Sequence, residues 1–295
     1  MTTATEPTTD TLDVPGAVLT YDVRPASAGA TDRPVLLLIG SPMGAGGFGT
    51  LASHFADRTV ATYDPRGVER SVKADPLSES TPEQHADDLH HLIAALGSGP
   101  VDLFASSGGA VNALALVAKH PEQVRTLVAH EPPLASILPD RDGAMAFTQA
   151  IHDTYERSGF GPAMAQFIVA VSHQGPMTTE FAAQPAPDPA MFGLPTEDDG
   201  TRTDALLGQN IVTCTHFEPD FDALRAASTR IVVGIGVESD GQLAARAAGV
   251  VAERLGTTPV VFPSGHGGFL GDEYGQPGDP VGFTATLRQV LQTEA

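Results

Sequence analysis

The sequence predicts an α/β fold: a mostly parallel central sheet with helices on both faces and one inserted helical segment. Three observations predict it. Apolar runs of strand length, bounded by Gly or Pro, recur at 34–39, 101–105, 230–235 and 259–262; continuous rather than alternating apolar runs mark parallel strands buried on both faces. Segments of helical period lie between them, and that alternation builds strand–helix–strand units. The alternation breaks once, from Leu134 to Ser228.

The first eleven residues are polar and lack an apolar leader core. They are expected to form a disordered tail, with no signal peptide. Residues 12–24 carry two strand-like runs about Pro15-Gly16 and predict a hairpin at the sheet edge. Pro34 to Ile39 is the first buried strand; a glycine-rich loop at 40–49 leads into a helix through Phe55, and Thr59 to Tyr63 is the next strand. Thr81-Pro-Glu-Gln84 supplies a helix N-cap, Pro at the first helical position and Gln three residues after the cap. His85, His90 and His91 on that helix have no second ligand group and are expected at its surface or boundary.

Val101 to Ala105 predicts a strand, Ala110 to His120 a helix, and Val124 to Ala129 a strand ending at His130-Glu131-Pro132-Pro133. Residues 134–228 then carry helix-like pieces at 144–157, 162–173 and 202–215, with scattered Met and Phe. This segment is expected to be a helical cap, partly forming its own core and partly lining a cleft. The core would comprise 12–133 and 229–295, closing with a helix at 242–255 begun by Ser239-Asp-Gly-Gln242 as a capping box, a strand at 259–262 and a helix at 281–291.

Composition narrows the function. With 295 residues and 41% hydrophobic content the chain fills a full core. A net charge of −20 and the absence of any Lys/Arg cluster along the chain argue against nucleic acid, acidic membrane surfaces and polyphosphates as partners. A small-molecule substrate is expected; oligomeric state has no signature. The single cysteine, Cys214, excludes an internal disulfide framework, suits a reducing cytoplasmic compartment, and is expected in the core rather than as a nucleophile.

The chemistry gathers at Ala105-Ser-Ser-Gly-Gly109. A strand, a tight turn of small residues and an immediate helix lift Ser107 out of the sheet and bring the Gly108 N–H to a helix N-terminus, where it can stabilise an oxyanion. The plainer alternative is that Ser106 and Ser107 cap the helix. His266 stands in a glycine loop, Ser264-Gly-His-Gly-Gly268, after the last strand.

In order and spacing these segments resemble the α/β-hydrolase family over about Leu12 to Leu291. Ile39-Gly-Ser-Pro42 sits where that family has its oxyanion loop, and Asp64-Pro-Arg-Gly67 through Ser71 looks like its D-x-R-G-x-G-x-S loop. The resemblance implies Ser107 as nucleophile, His266 as base, and the backbone N–H groups of Ser41 and Gly108 as oxyanion hole. Ile39 replaces the family's usual His, and Ala105 and Glu69 replace glycines. The usual place of the triad acid holds Ser239, flanked by Glu238 and Asp240; Glu131, at the end of the strand after the elbow helix, is the favoured acid, as in some family members. Such a chain would hydrolyse a small, moderately apolar ester or lactone through an acyl-enzyme and needs no metal or organic cofactor. Carbon–carbon bond hydrolysis and acyl transfer are alternatives on the same fold. A further rival is an NAD(P)-dependent oxidoreductase, because Gly44-Ala-Gly-Gly-Phe-Gly49 is a G-x-G-x-x-G string and Asp64 ends the next strand.

Overall fold

The computed structural model describes residues 6–27, 33–275 and 278–292. The chain begins with β1 (Thr8–Val14) and β2 (Ala17–Arg24), an antiparallel hairpin turning at Pro15-Gly16, where Gly16 takes a positive φ of 76°. Part of the expected N-terminal tail is therefore ordered. Thr8 to Thr11 pair in register with Val23 to Thr20, and the neighbouring strand satisfies backbone groups that composition alone suggested were solvated. Met1 to Thr5 lie outside the described residues.

β3 (Leu36–Ile39) is followed by a short 3-10 turn, α1 (Gly49–Ser53), β4 (Val60–Asp64) and a two-residue strand β5 (Val72–Lys73) that pairs with β2. Nothing in the sequence signalled β5. α2 (Pro82–Leu96) forms the expected capping box: the Gln84 N–H donates to Thr81 Oγ1 and the Thr81 N–H to Gln84 Oε1, while Gly97 ends the helix in the left-handed region. β6 (Val101–Ser106), α3 (Gly108–Lys119) and β7 (Val124–His130) follow.

Between β7 and the next strand lie α4 (Arg141–Ser158), α5 (Phe160–Ser172), α6 (Thr179–Ala182), a π-helical turn over Ala205–Asn210, α7 (Ile211–Thr215) and α8 (Phe221–Ala226). Phe147, Tyr155 and Met177 are buried and belong to the same apolar cluster as Leu37, Leu103 and Leu114 of the sheet and its helices, whereas Met191 is exposed. α8, although within 134–228, packs on α3 and so belongs with the helices that cover the sheet. The π-helical turn is fastened to the core through Gln209, whose carbonyl accepts from the Ser80 N–H at 3.1 Å and whose Oε1 accepts from Lys73 Nζ at 3.1 Å. β8 (Arg230–Gly236), α9 (Leu243–Leu255), β9 (Val260–Phe262) and α10 (Pro280–Gln292) complete the chain.

The strands run in the order β1-β2-β4-β3-β6-β7-β8-β9, parallel from β4 onward. Alternate residues of β3 serve opposite faces. Leu37 and Ile39 join the core with α2, α3 and α9, while Leu36 and Leu38 join Phe48, Phe55, Phe104, Phe283 and Leu287 beneath α1 and α10. Burial on both faces accounts for the unbroken apolar runs.

Candidate active site

The carboxyl ends of β6, β7, β8 and β9 lie side by side, because Ser106 pairs with His130, His130 with Gly234, and Gly236 with Phe262. Loops leaving these ends therefore converge. Ser107 turns off β6 at φ 57° and ψ −130°, and its N–H donates to the His130 carbonyl at 3.0 Å. It holds the N-cap position of α3, but its side chain makes no cap hydrogen bond, contrary to the plainer helix-cap reading.

The small residues around Ser107 are required by backbone contact. A Cβ on Gly108 would lie 2.6 Å from the Ser41 carbonyl oxygen and 3.2 Å from Cys214 Sγ; one on Gly109 would lie 2.8 Å from Gly40 Cα. The elbow thus sits directly against the 40–41 loop, and the N–H of Gly108 at the first turn of α3 has no intrahelical partner. Cys214 of α7 comes within reach of the same spot, which fixes α7 over the elbow. Its thiol is buried and pushed up to about 12 by that burial.

Glu131, the residue after β7, is fully buried at φ 49°. Its N–H donates to the Gly234 carbonyl at 3.1 Å, Oε1 accepts from the Gly236 N–H at 2.8 Å, and Oε2 lies 2.5 Å from His266 Nδ1. Burial works to raise its pKa, but the hydrogen bond to His266, the nearby histidines and the Gly236 N–H outweigh it and hold the carboxyl below the usual range. The side chain of His266 is 41% exposed. Glu238 and Asp240 are exposed. Glu238 Oε2 accepts from Ser264 Oγ at 3.3 Å, and buried Ser239 faces the backbone of Gly265. The capping box expected at 239–242 does not form: α9 begins at Leu243, and its N-cap Gln242 makes no side-chain cap bond.

His130 stands behind Glu131 and its neighbourhood was not foreseen. It is fully buried, its ring packed among Phe104, Phe262, Phe269 and Phe283 at centroid distances of 5.3 to 6.5 Å, and neither ring nitrogen has a hydrogen-bond partner. Burial lowers its pKa to about 4, so it is neutral at physiological pH. The ligand atoms of His130, Glu131 and His266 lie within 4.8 Å of one another, a donor set a metal could use. Both Glu131 oxygens, however, are already engaged in hydrogen bonds.

The glycine string at 44–49 is accounted for by packing. Asp64, fully buried, accepts from the Ala45 N–H at 2.8 Å and from Arg70 Nε at 2.6 Å. A Cβ on Gly44 would lie 2.7 Å from Asp64 Oδ1, and one on Gly47 would lie 2.4 Å from Met43 Sδ. The carboxylate that a ribose would need is consumed inside the loop. In the following motif, Arg66 forms a buried bidentate pair with Asp88 at 2.6 and 2.7 Å, and Ser71 Oγ donates to the Asp64 carbonyl, so these residues are scaffold. His85, expected at a surface or boundary, is buried and bonded to Asn210 Oδ1 at 2.9 Å.

Among the non-glycine residues described, four have positive φ: Glu69, Ser107, Glu131 and Ser264. Each follows the carboxyl end of a parallel strand. Such angles cost about 1–3 kcal/mol apiece and persist where surrounding structure enforces them.

A family model for the alpha/beta hydrolase fold matches residues 33–180. The chain is an α/β hydrolase. This α/β hydrolase is 31% identical over 265 residues to the uncharacterized hydrolase YraK of Bacillus subtilis (strain 168), covering 88% of this chain and 89% of that one. It shares its fold with a thermophilic esterase from Thermogutta terrifontis, with a TM-score of 0.65 and 20% identity over 97% of this chain and 98% of that one. A similar likeness, TM-score 0.62 and 18% identity over 96% and 97%, relates it to proline iminopeptidase of Mycobacterium smegmatis. Hydrolase activity is supported by the family and the sequence relative. No helix among the described residues of this α/β hydrolase is long and apolar enough to cross a membrane.

Proposed function

We propose that the protein is a serine hydrolase that cleaves a small, moderately apolar ester or lactone through an acyl-enzyme. The observation that carries this reading is the Glu131 carboxylate, bridging the Gly236 N–H and His266 Nδ1 at the same sheet end as Ser107. An ionised Glu131 accepts from Nδ1–H and leaves the Nε2 lone pair of His266 to take the Ser107 proton. Ser107 Oγ attacks the carbonyl carbon; the N–H groups of Ser41 and Gly108 receive the oxyanion; the imidazolium returns its proton to the departing alcohol. Water, deprotonated by His266, then releases the acid and restores Ser107. Apart from α8, the segment 134–228 acts as the cap, with α7 seated over the elbow through Cys214 and Gly108. The esterase among the solved structures of like fold is in keeping with an ester substrate, and one cysteine suits a cytoplasmic setting.

Treatment with a fluorophosphonate and a short-chain p-nitrophenyl ester tests the reading. Labelling at Ser107, with turnover lost in both Ser107→Ala and His266→Ala, is expected. Turnover that survives Ser107→Ala would overturn it.

A further inference from the structure

The π-helical turn over Ala205–Asn210 runs directly into α7, and Asn210 stands at the junction. Such turns are rare and often mark functional sites. Gln209 is tied to the core: its carbonyl accepts from the Ser80 N–H, its Oε1 from Lys73 Nζ, and its Nε2 donates to the Pro76 carbonyl at 2.8 Å. Asn210 Oδ1 meets His85 Nε2 of α2 at 2.9 Å. Beyond it, Thr213 Oγ1 donates to the Ser80 carbonyl at 2.6 Å, and Cys214 then reaches the elbow at Gly108. The bond from His85 therefore stands where the chain leaves its anchor and enters the helix that covers Ser107.

The surrounding bonds fix which nitrogen of His85 carries the hydrogen. Asn210 Nδ2 donates to the Ala205 carbonyl at 2.5 Å, so Oδ1 is the atom turned to His85 and Nε2–H is the donor. Nδ1 is then a lone pair with no hydrogen-bond partner among the described residues, on a residue 1% exposed. The charged groups about the ring are Asp88 on α2, Arg66 from the loop after β4, and Lys73 on β5. Both Asp88 oxygens are taken by Arg66, and Lys73 Nζ is turned to Ser80 Oγ and Gln209 Oε1. Glu79, before α2, is exposed, and α3 carries only Lys119, paired with Asp87 at its far end. The π-helical turn and α7 bring no charged side chain, and Cys214 is their one titratable group. Burial lowers the pKa of His85 from 6.5; the bond to Asn210 and the charge of Asp88 act against that, and Arg66 and Lys73 act with it. A proton on Nδ1 places an unpaired N–H and a positive charge beside Arg66 and Lys73 in a closed space, a cost relieved once the ring reaches water.

We propose that His85 is a positioning residue: its hydrogen bond to Asn210 sets how α7 sits on the elbow, and protonation of its ring releases that helix. Opening that exposes the ring takes up a proton, so the open fraction grows as pH falls below 6.5, by up to roughly tenfold per pH unit. Release of α7 stands on this geometry alone. Its catalytic consequence rests on the reading of Ser107 as nucleophile: with α7 lifted, Cys214 no longer backs Gly108, whose N–H belongs to the oxyanion hole.

Cys214, the single cysteine of the chain and buried, reports the seat of α7. A dipyridyl disulfide in excess over the full chain should label it slowly at pH 7.5, and equally in wild type and His85→Gln, whose amide supplies the donor without titrating. At pH 5.5 wild type should react roughly three- to tenfold faster than His85→Gln, the comparison at one pH cancelling the ionisation of the thiol. His85→Phe leaves Asn210 Oδ1 without its donor and should label fast at both pH values. Its ester turnover at pH 7.5 should fall severalfold, with His85→Gln retaining the wild-type rate. Equal labelling of wild type and His85→Gln at pH 5.5 would overturn the proposal, as would slow labelling of a folded His85→Phe. A wild-type protein without ester turnover would count against the hydrolase reading and leave the labelling rates to decide this one.

Discussion

The carboxylate of Glu131 and the imidazole of His266, 135 positions apart in sequence, meet at 2.5 Å while the other Glu131 oxygen holds the Gly236 N–H. Glu131→Gln keeps the shape but loses the charge and offers Nδ1 an ambiguous partner. Turnover should fall by roughly 10³–10⁴-fold, with a lower melting temperature at neutral pH because the folded state favours the charged carboxyl. Glu238→Gln and Asp240→Asn, both at exposed positions, should stay near wild type. A loss in Glu238→Gln equal to that in Glu131→Gln would reassign the acid.

Gly108 and Ser41 touch through their backbones, so Gly108→Ala drives a methyl group into the Ser41 carbonyl. The expected result is a stability loss of about 1–3 kcal/mol from overpacking and a kcat decrease of roughly 10²–10³-fold as the two N–H donors separate. Urea unfolding and steady-state kinetics on one preparation distinguish the effects. Normal kcat in a folded variant would mean the oxyanion is held elsewhere.

His130 makes stability depend on pH in a defined window. Unfolded, it takes a proton near pH 6.5; folded, it stays neutral down to about 4. Between those values the unfolded chain binds more protons, so stability falls as pH drops from about 6.5 toward 4, by about 3 kcal/mol over the whole span. Buried His85 acts in the same direction. Glu131, whose pKa is depressed from 4.5, loses its contribution only below that value. His130→Phe should be as stable as wild type or more so at pH 7.5, because two unpartnered nitrogens are removed, and should lose less stability by pH 5. Parallel losses in the two proteins would exclude His130 as the cause.

Asp64 holds the Ala45 N–H and Arg70 within a buried loop. Asp64→Ala should lower stability by about 1–3 kcal/mol, measured by chemical denaturation. NAD(H) should leave the melting temperature of the wild-type protein unchanged; a saturable rise would restore the dinucleotide reading.

The strands and the elbow were legible because local pattern determines them: apolar runs such as Leu36 to Ile39 and the small residues about Ser107 carry their meaning within a few positions. Glu131 could be favoured from its place at a strand end, but its contact with His266 depends on the order of β7, β8 and β9. What was missed depends on distant partners. His85 is buried because Asn210 meets it from the π-helical turn, β5 exists because Ala17 and Val18 pair with it, and Thr8 is ordered by Val23. Ser239-Asp-Gly-Gln242 misled for the converse reason: a good local capping string yields when β8 and the loop that carries Ser264 hold Glu238 and Ser239 by their backbones.

Glu69, Ser107, Glu131 and Ser264 all adopt angles that glycine would accept without penalty, and all lie at one end of the sheet. A directed-evolution campaign scored only on soluble yield or heat resistance would find improvements at these positions first. On the proposed mechanism its winners at Ser107 and Glu131 would be well-behaved but inert proteins, so libraries built for robustness should leave those codons untouched and take their gains from other loops.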